Sequence, residues 1–236
     1  MTAPGCTFPA ACPVPDVDTV DLRRLRLTHL TAGEGWFQVH DRAYPPPAFN
    51  TSGHGDTRFA PLAGAGHAYI ARRQTVALLE TVFHDVHELA DRIIFTATAL
   101  QGRQLSQVDI AVRLPLIDLR DPELTRLGID RGLVASSRAH YSCTRQWADT
   151  LIRRKPGGVQ SAGWIWNSRV AELAQADTPV LNDLLEAPAS EVAVLYDLHT
   201  PAGVLTTTAP LLHDLTSGNG WLLVADVAEL LDAEIH

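Results

Sequence analysis

Hydrophobic residues recur along the chain in short runs whose spacing alternates between the two-residue period of strands and the longer period of helices. A strand is predicted at 35–40, a second strand at 67–72, and a helix from 74 to about 90. Later runs predict strands at 108–112, 114–119, 163–168 and 191–198, a short run near 211–215, and helices from 121, from about 141 to 154 and from about 221 to 231. Because strands and helices are mixed without strict β-α-β alternation, the pattern predicts a mixed α+β domain and not a doubly wound sheet.

Prolines and glycines mark the ends of several of these elements. Pro115 indicates a sheet edge or a bend, and Asp121 is the predicted N-cap of a helix whose first helical residue is Pro122. The Pro-Gly-Gly run at 156–158 is predicted to end the preceding helix. The Gly-Ala-Gly run at 64–66 precedes a strand instead of joining a strand to a helix, so it does not fit a dinucleotide-binding fingerprint.

Two segments lack a regular pattern. Residues 1–17 contain four prolines and are predicted to form an extended or partly ordered leader before a single domain at 18–236. The segment 43–66 is rich in proline and glycine, and a long loop inside a compact domain is usually functional. Because this segment also carries aromatic residues, Asp56 and Arg58, we predict an ordered loop that faces a ligand.

Composition narrows the class of protein. The 27 acidic residues outnumber the 19 basic ones, which argues against a protein that coats the nucleic-acid backbone, so no direct nucleic-acid partner is expected. No stretch approaches the roughly 20 apolar residues of a membrane span, and the first residues do not resemble a signal peptide. A cytoplasmic protein with no membrane partner is expected. The basic residues are almost all arginines, whose planar guanidinium groups suit bidentate contacts to anions.

Cysteines and histidines give no metal motif in the sequence. Cys6, Cys12 and Cys143 are expected to make neither a disulfide framework nor a four-ligand zinc site, and Cys143 is predicted to be a small buried hydrophobe. The cysteine content fits a reducing cytoplasm.

One pair of histidines offers an alternative site. His84 and His87 lie three residues apart on the predicted helix, and Glu80 and Glu88 are each four residues from His84. This is not the HExxH pattern, and no motif places a third ligand. Helix-end histidines are the favoured interpretation, and no metal is expected.

Several short motifs occur in a fixed order between residues 36 and 170. They are FNTSGHGDTRFAP at 49–61, AYIA at 68–71, ALLETVFHD at 77–85, the set Tyr141, Thr144, Trp147 and Ala148, and AGWIWNSR at 162–169. Together these motifs resemble the RES domain family, the toxins of RES–Xre toxin–antitoxin pairs. The resemblance implies a compact mixed-sheet fold like that of ADP-ribosyltransferases and an enzyme that cleaves NAD+ at its nicotinamide–ribose bond, with NAD+ as substrate.

The resemblance assigns the catalytic positions to Arg58, Tyr69, Glu80 and Ser168. A carboxylate such as Glu80 suits a reaction that develops positive charge on the ribose, and it can also accept a hydrogen bond from a ribose hydroxyl. Arg58 can bind the pyrophosphate or the ribose, Tyr69 can stack on nicotinamide and orient it, and Ser168 supplies a small donor and acceptor.

Each of these residues also has a structural interpretation. Glu80 alone fits a solvated helix residue, Arg58 a surface ion pair with Asp56, and Tyr69 a strand aromatic at the edge of the core. Ser168 alone indicates nothing.

The neighbouring strand aromatics and the first strand bear on the same site. The alternation of Trp164 and Trp166 marks one face of a strand, with one of the two as a candidate pocket wall. The family commonly carries an arginine where this chain has Gln38, and Arg42 is the candidate that compensates.

The resemblance leaves the acceptor of ADP-ribose open between water and phosphate. The alternatives are transfer of ADP-ribose to a protein side chain, or a non-catalytic NAD-binding or protein-interaction module. It also implies an Xre-like helix-turn-helix antitoxin as partner. The acidic closing helix is predicted to pack on the domain, with a partner surface as the alternative.

Overall fold

The computed structural model describes residues 6, 9–44, 47, 49–84, 93–169, 171, 190–207 and 212–236. Its strands are β1 (Leu27–Leu30), β2 (Gly35–Asp41), β3 (His67–Ala71), β4 (Ile93–Phe95), β5 (Arg103–Ile110), β6 (Leu114–Asp118), β7 (Gly163–Asn167), β8 (Glu191–Tyr196), β9 (Leu205–Thr206), β10 (Leu212–Asp214) and β11 (Ala233–Ile235). Its α-helices are α1 (Gln74–Thr81), α2 (Asp121–Leu127), α3 (Gly132–Ala135), α4 (Tyr141–Leu151) and α5 (Gly218–Leu230). Short 3-10 turns connect several of them.

One mixed sheet organises the described part of the chain. Its strand order is β1-β6-β7-β8-β3-β2-β5-β10, and β9 adds to β5. The β6–β7 pair is parallel, whereas the other pairs of this sheet are antiparallel. A separate parallel pair joins β4 and β11. The predicted α+β class with a mixed sheet is confirmed.

Hydrophobic side chains cover both faces of this sheet. In β3, Tyr69 and Ala71 pack with the larger cluster, which also holds the apolar side chains of α1, α4 and α5. Ala68 and Ile70 alternate with them and pack with a second cluster around Trp36. The two-residue period of β3 therefore places Tyr69 on the face of the sheet that packs against these helices.

Most predicted strands are found within a residue or two of their expected bounds, because β-branched and aromatic runs specify them locally. Helix α2 starts one residue earlier than predicted: Arg120 is the N-cap and Asp121 is already helical. Pro115 is the second residue of β6, an interior strand between β1 and β7, so it does not mark a sheet edge. A proline near the start of a strand loses few ladder hydrogen bonds, which explains this placement.

The structure differs from the prediction at the end of α1 and after α5. Helix α1 ends at Thr81, where the N–H groups of Val82 and Phe83 both donate to Leu78 O. The predicted continuation at 85–90 lies outside the described residues. The strand β11 after α5 was not predicted, because three residues are too short for a periodic signal. None of the helices in the described ranges is long and apolar enough to cross a membrane.

The described part of the leader packs on the domain. Val14 is buried in the larger cluster, and Trp147 Nε1 of α4 donates a hydrogen bond to Pro15 O at 2.7 Å. A Cβ atom at Gly132 would overlap the Pro13 backbone, which explains a glycine at the first position of α3. The segment from 9 to 17 is thus held against α3 and α4 by specific contacts.

Candidate active site

The loop between β2 and β3 carries the first candidate residue and is anchored by its neighbour. Phe59 is fully buried, and its ring meets those of Trp164 and Trp166 edge-on, with centroids 5.4 and 5.2 Å away. Tyr196 also donates a hydrogen bond from its hydroxyl to Phe59 O at 2.6 Å. Both tryptophans are therefore core residues on one face of β7, as their alternation indicated.

Arg58 is buried in this loop, not placed at the surface. Its side chain is held mainly by the segment that leads into α4: Nη1 donates to the backbone oxygen of Ser136 and to Ser136 Oγ at 3.2 Å. The Arg58 guanidinium carbon lies 5.4 Å from the centre of the Tyr141 ring, and Thr144 Oγ1 donates to Arg58 O. Among the described residues no carboxylate pairs with Arg58, and its buried Nε has no hydrogen-bond partner there.

Asp56 has other partners, which rules out the ion pair with Arg58 considered above. It pairs with Arg138 at 2.5 Å and with Arg145 of α4. Burial alone would raise the pKa of the Asp56 carboxyl, but hydrogen bonds from the two arginines outweigh it, so the pKa lies below its usual value. Asp56 therefore fastens the loop to the start of α4 and leaves Arg58 without a counter-ion in the described part of the protein.

Tyr69 links this loop to β3. Its hydroxyl accepts a hydrogen bond from the Phe59 N–H at 3.0 Å and lies 3.1 Å from Thr57 Oγ1. Its ring meets that of Trp166 edge-on at 6.0 Å. Burial raises the pKa of Tyr69 to about 12, although its hydrogen bonds and Arg58 act in the opposite direction and Glu80 adds to the rise. The hydroxyl is thus neutral at pH 7 and holds the loop that carries Arg58.

Glu80 and Ser168 meet directly, although 88 residues separate them in the chain. Ser168 Oγ donates a hydrogen bond to Glu80 Oε1 at 2.6 Å and accepts one from the Ala171 N–H at 3.1 Å. Ser168 is fully buried just after β7, while Glu80 is partly exposed near the end of α1. Because serine has a single proton, the acceptance from Ala171 leaves its hydroxyl proton directed at the carboxylate.

Electrostatic and hydrogen-bond interactions link the four candidate residues to one another. Both Arg58 and Glu80 interact electrostatically with the Tyr69 hydroxyl, and Ser168 is bonded to Glu80. The arrangement combines a carboxylate with one fixed hydrogen-bond donor, a buried guanidinium whose Nε–H has no acceptor within the described ranges, and a partly exposed aromatic ring. Such a set can bind an anionic ligand and stabilise positive charge that develops beside it.

Several positions that support the site were not assigned a role from the sequence. Ser136, Tyr141 and Thr144 hold Arg58, and Arg169 Nη1 donates to Ala135 O at 2.7 Å beside them. Tyr141 and Thr144 do belong to one of the recognised motifs, so the signal for them was present without its structural meaning. Nothing local in the sequence marks Ser136.

The remaining candidates lie elsewhere. Gln38 alternates in β2 with Phe37 and Val39, which pack in the same cluster as Tyr69, so Gln38 faces the opposite side of the sheet. Arg42 is exposed in the turn after β2. His84 Nδ1 lies 3.2 Å from Thr81 O, which fits a helix-end histidine. His87 and Glu88, the other members of that suggested metal site, lie outside the described residues.

Removal of the Tyr69 hydroxyl should destabilise the loop. In Tyr69→Phe the buried Phe59 N–H loses its acceptor, and an unsatisfied buried donor costs about 1–3 kcal/mol. Urea unfolding of the variant should show this loss of unfolding free energy with an unchanged dependence on urea. Tyr44→Phe, at an exposed position, is the matched control. Equal stability of Tyr69→Phe and wild type would contradict the anchoring role.

A buried histidine beside Tyr69 should make the stability depend on pH. Burial lowers the pKa of His67 to about 4, whereas an unfolded chain leaves it near 6.5. The unfolded state therefore binds the proton first, and stability present above pH 6.5 should fall by about 3 kcal/mol as the pH is lowered to 4. Unfolding curves of wild type and His67→Asn at both pH values test this, with the exposed His54→Gln as control. Parallel pH profiles for all three proteins would refute it.

Comparison with known proteins places this geometry in a family. The RES domain matches residues 35–218, which is more than half of the chain. The fold is similar to a chain in the crystal structure of the M. tuberculosis MbcT–MbcA toxin–antitoxin complex, with a TM-score of 0.54 and 13% identity over 87% of this chain and 93% of that chain. None of the curated proteins shows significant sequence similarity to this chain. The extent of the RES match, which includes all four candidate residues, shows that the chain belongs to the RES domain family.

Proposed function

We propose that this protein is an NAD+-degrading toxin that cleaves the bond between nicotinamide and ribose. The observation that carries the proposal is the 2.6 Å hydrogen bond from Ser168 Oγ to Glu80 Oε1. It gives the carboxylate a fixed orientation, and the buried Arg58 guanidinium has no carboxylate partner and a free Nε–H among the residues that the structure describes. Membership of the RES domain family supports the same assignment.

The proposed reaction breaks one carbon–nitrogen bond. Nicotinamide departs from the anomeric carbon of the ribose with the bonding electron pair, which neutralises its ring and leaves positive charge on the sugar. The Glu80 carboxylate stabilises that charge as it develops. Water then adds to the anomeric carbon and loses a proton to give ADP-ribose, or phosphate adds to give ADP-ribose-1″-phosphate.

In this proposal Arg58 and Tyr69 bind the substrate, and Ser168 positions Glu80. Arg58 binds the pyrophosphate or the ribose, because its buried guanidinium has no carboxylate partner in the described part of the chain and its Nε has no acceptor. The Tyr69 ring offers a surface for nicotinamide, while its hydroxyl holds the Arg58 loop. Ser168 keeps the carboxylate from rotating.

The toxin role implies a partner that restrains it. The fold is similar to that of a chain in a toxin–antitoxin complex, and the RES family supports the same assembly. We propose an Xre-like helix-turn-helix antitoxin that occludes the site. Expression of the chain alone should slow growth, and co-expression of the adjacent helix-turn-helix gene should restore it. Unimpaired growth on expression of the folded wild-type protein would contradict the toxin role.

Product analysis tests the enzymatic proposal. The purified full chain is incubated with NAD+ in the presence and absence of phosphate, and nicotinamide, ADP-ribose and ADP-ribose-1″-phosphate are separated. ADP-ribose in both reactions identifies water as the acceptor, whereas product formation that requires phosphate identifies phosphate. Consumption of NAD+ only after a protein acceptor is added would point to a protein ADP-ribosyltransferase. Intact NAD+ in every reaction would overturn the enzymatic proposal.

A further inference from the structure

Four metal-binding side chains converge where the leader meets the start of α4. Cys6, Cys12, His140 and Cys143 each place one ligand atom within 4.8 Å of all the others. The cysteines at 6 and 12 belong to the leader, His140 directly precedes α4, and Cys143 lies on its first turn. This set, which we call the Cys3His cluster, is separate from the four candidate active-site residues.

The distances within the Cys3His cluster fit a single tetrahedral ion. The Cys12 and Cys143 sulfurs are 3.7 Å apart, and His140 Nδ1 lies 3.7 Å from Cys6 Sγ and 3.4 Å from Cys12 Sγ. Zinc ligands about 2.3 Å (sulfur) and about 2.1 Å (nitrogen) from the ion lie about 3.8 Å apart for two sulfurs and about 3.6 Å for sulfur and nitrogen. These three separations are close to the expected values, and the other three pairs of ligand atoms lie within 4.8 Å.

Burial and local geometry favour a preformed site. His140 and Cys143 are buried and lie three residues apart across the start of α4. Cys6 and Cys12 are partly buried and approach from the leader. A metal ion here joins two parts of the chain that are more than 120 residues apart, as the Cys12–His140 separation of 128 shows.

We propose that Cys6, Cys12, His140 and Cys143 form a structural zinc site that fastens the leader to α4. Three thiolates and one imidazole are a common ligand set of structural zinc, and four protein ligands complete the tetrahedron without an open position for water. Zn²⁺ displaces the protons of the three thiols, which pass to solvent, and no electron transfer is required.

The sequence spacing alone did not indicate this site, because three cysteines lack the fourth ligand that the fold supplies. A disulfide is a poorer account of the cluster. The 3.7 Å separation of the Cys12 and Cys143 sulfurs is well above the roughly 2.05 Å of a disulfide bond, and a bond between them would leave Cys6 and His140 unexplained.

Metal analysis of the full chain tests the proposal. Protein purified without chelators is expected to contain about one zinc ion per chain. Cys12→Ser and His140→Asn should lose most of this zinc, whereas His29→Gln, at an exposed position of β1, should retain it. Treatment of wild type with a strong zinc chelator should lower the melting temperature by about 10 °C, and the two ligand variants should no longer respond to it.

A cobalt titration keeps the test decisive if the ligand variants fold poorly. Reduced, chelator-treated wild-type protein should bind one Co²⁺ with the visible bands of a tetrahedral site and the ultraviolet bands of cobalt–thiolate bonds, and zinc should displace it. The proposal would be overturned if wild type takes up neither metal, or if the purified protein holds iron in place of zinc. It would also be overturned if mass spectrometry finds a Cys12–Cys143 disulfide in the metal-free protein. None of these measurements depends on NAD+ cleavage.

Discussion

Replacement of Glu80 by glutamine is expected to lower kcat for NAD+ cleavage by about 100- to 1,000-fold with little change in KM. The substitution removes the negative charge that would stabilise the ribose as nicotinamide departs. It keeps the volume and the side-chain oxygen, which can still accept the hydrogen bond from Ser168 Oγ. Because the glutamine oxygen can still accept a hydrogen bond from the substrate and the proposed binding groups are unchanged, the loss should appear in the chemical step.

Two controls separate charge from structure in this experiment. Glu229→Gln, on the exposed face of α5, removes the same charge away from the site and should leave kcat unchanged. Unfolding free energies of Glu80→Gln and wild type should agree closely. A Glu80→Gln enzyme with full kcat would remove Glu80 from the mechanism.

Ser168→Ala tests whether the serine acts through Glu80. If Ser168 only orients the carboxylate, its removal should reduce kcat less than Glu80→Gln, and it should add little to the effect in the double variant. A reduction in Ser168→Ala that equals that of Glu80→Gln and multiplies with it would instead show that Ser168 holds the reacting ribose itself. Single-turnover rates for the three variants distinguish these results.

Local sequence patterns predicted the positions of the strands better than they predicted the order of the strands in the sheet. The strands β2, β3, β7 and β8 follow from their β-branched and aromatic runs, which act within a few residues. The order that puts β8 between β7 and β3 depends on contacts between strands that are distant in the chain. Periodicity contains no information on those pairings, so the mixed sheet could be predicted as a class but not as a topology.

The candidate site shows the same division. The order of short motifs identified Arg58, Tyr69, Glu80 and Ser168, but it did not show that Ser168 contacts Glu80 or that the Tyr69 hydroxyl holds the loop. The closeness of Asp56 to Arg58 in the sequence indicated an ion pair between them, but Asp56 pairs with Arg138 and Arg145. The loop directs the Asp56 carboxylate to Arg138 and Arg145 and the Arg58 guanidinium to Ser136. These directions depend on where α4 and the segment before it lie, which the local sequence does not specify.

Long-range convergence also explains why the cysteines had no predicted role. Metal motifs are recognised in sequence when pairs of ligands lie a few residues apart on a turn or a helix. Here one pair is His140 and Cys143, and the other is Cys6 and Cys12 in a leader that was expected to be extended or only partly ordered. The burial of Val14 and the Trp147–Pro15 hydrogen bond fix the path of that leader, so its packing brings the ligands together.

Substitution of Arg58 is expected to weaken NAD+ binding strongly. Arg58→Ala removes a buried cation that has no carboxylate partner in the described ranges, so KM should rise and kcat should fall, with a combined loss on the order of 2–5 kcal/mol in kcat/KM. Arg58→Lys is the sharper variant. It keeps the charge but lacks the planar fork, so it cannot both donate to Ser136 and present an N–H at the position of Nε.

Binding can be measured without turnover if Arg58→Lys is placed in the Glu80→Gln background. Calorimetric titration with NAD+ should then give a Kd at least about tenfold weaker than that of Glu80→Gln alone, because a bidentate contact to an anion is lost. Arg153→Ala, an exposed arginine paired with Asp149, should leave the Kd unchanged. Since Arg58 also donates to the Ser136 carbonyl, Arg58→Ala should lower the unfolding free energy as well. An Arg58→Lys variant that binds NAD+ as tightly as its parent would show that the buried guanidinium serves the loop and not the ligand.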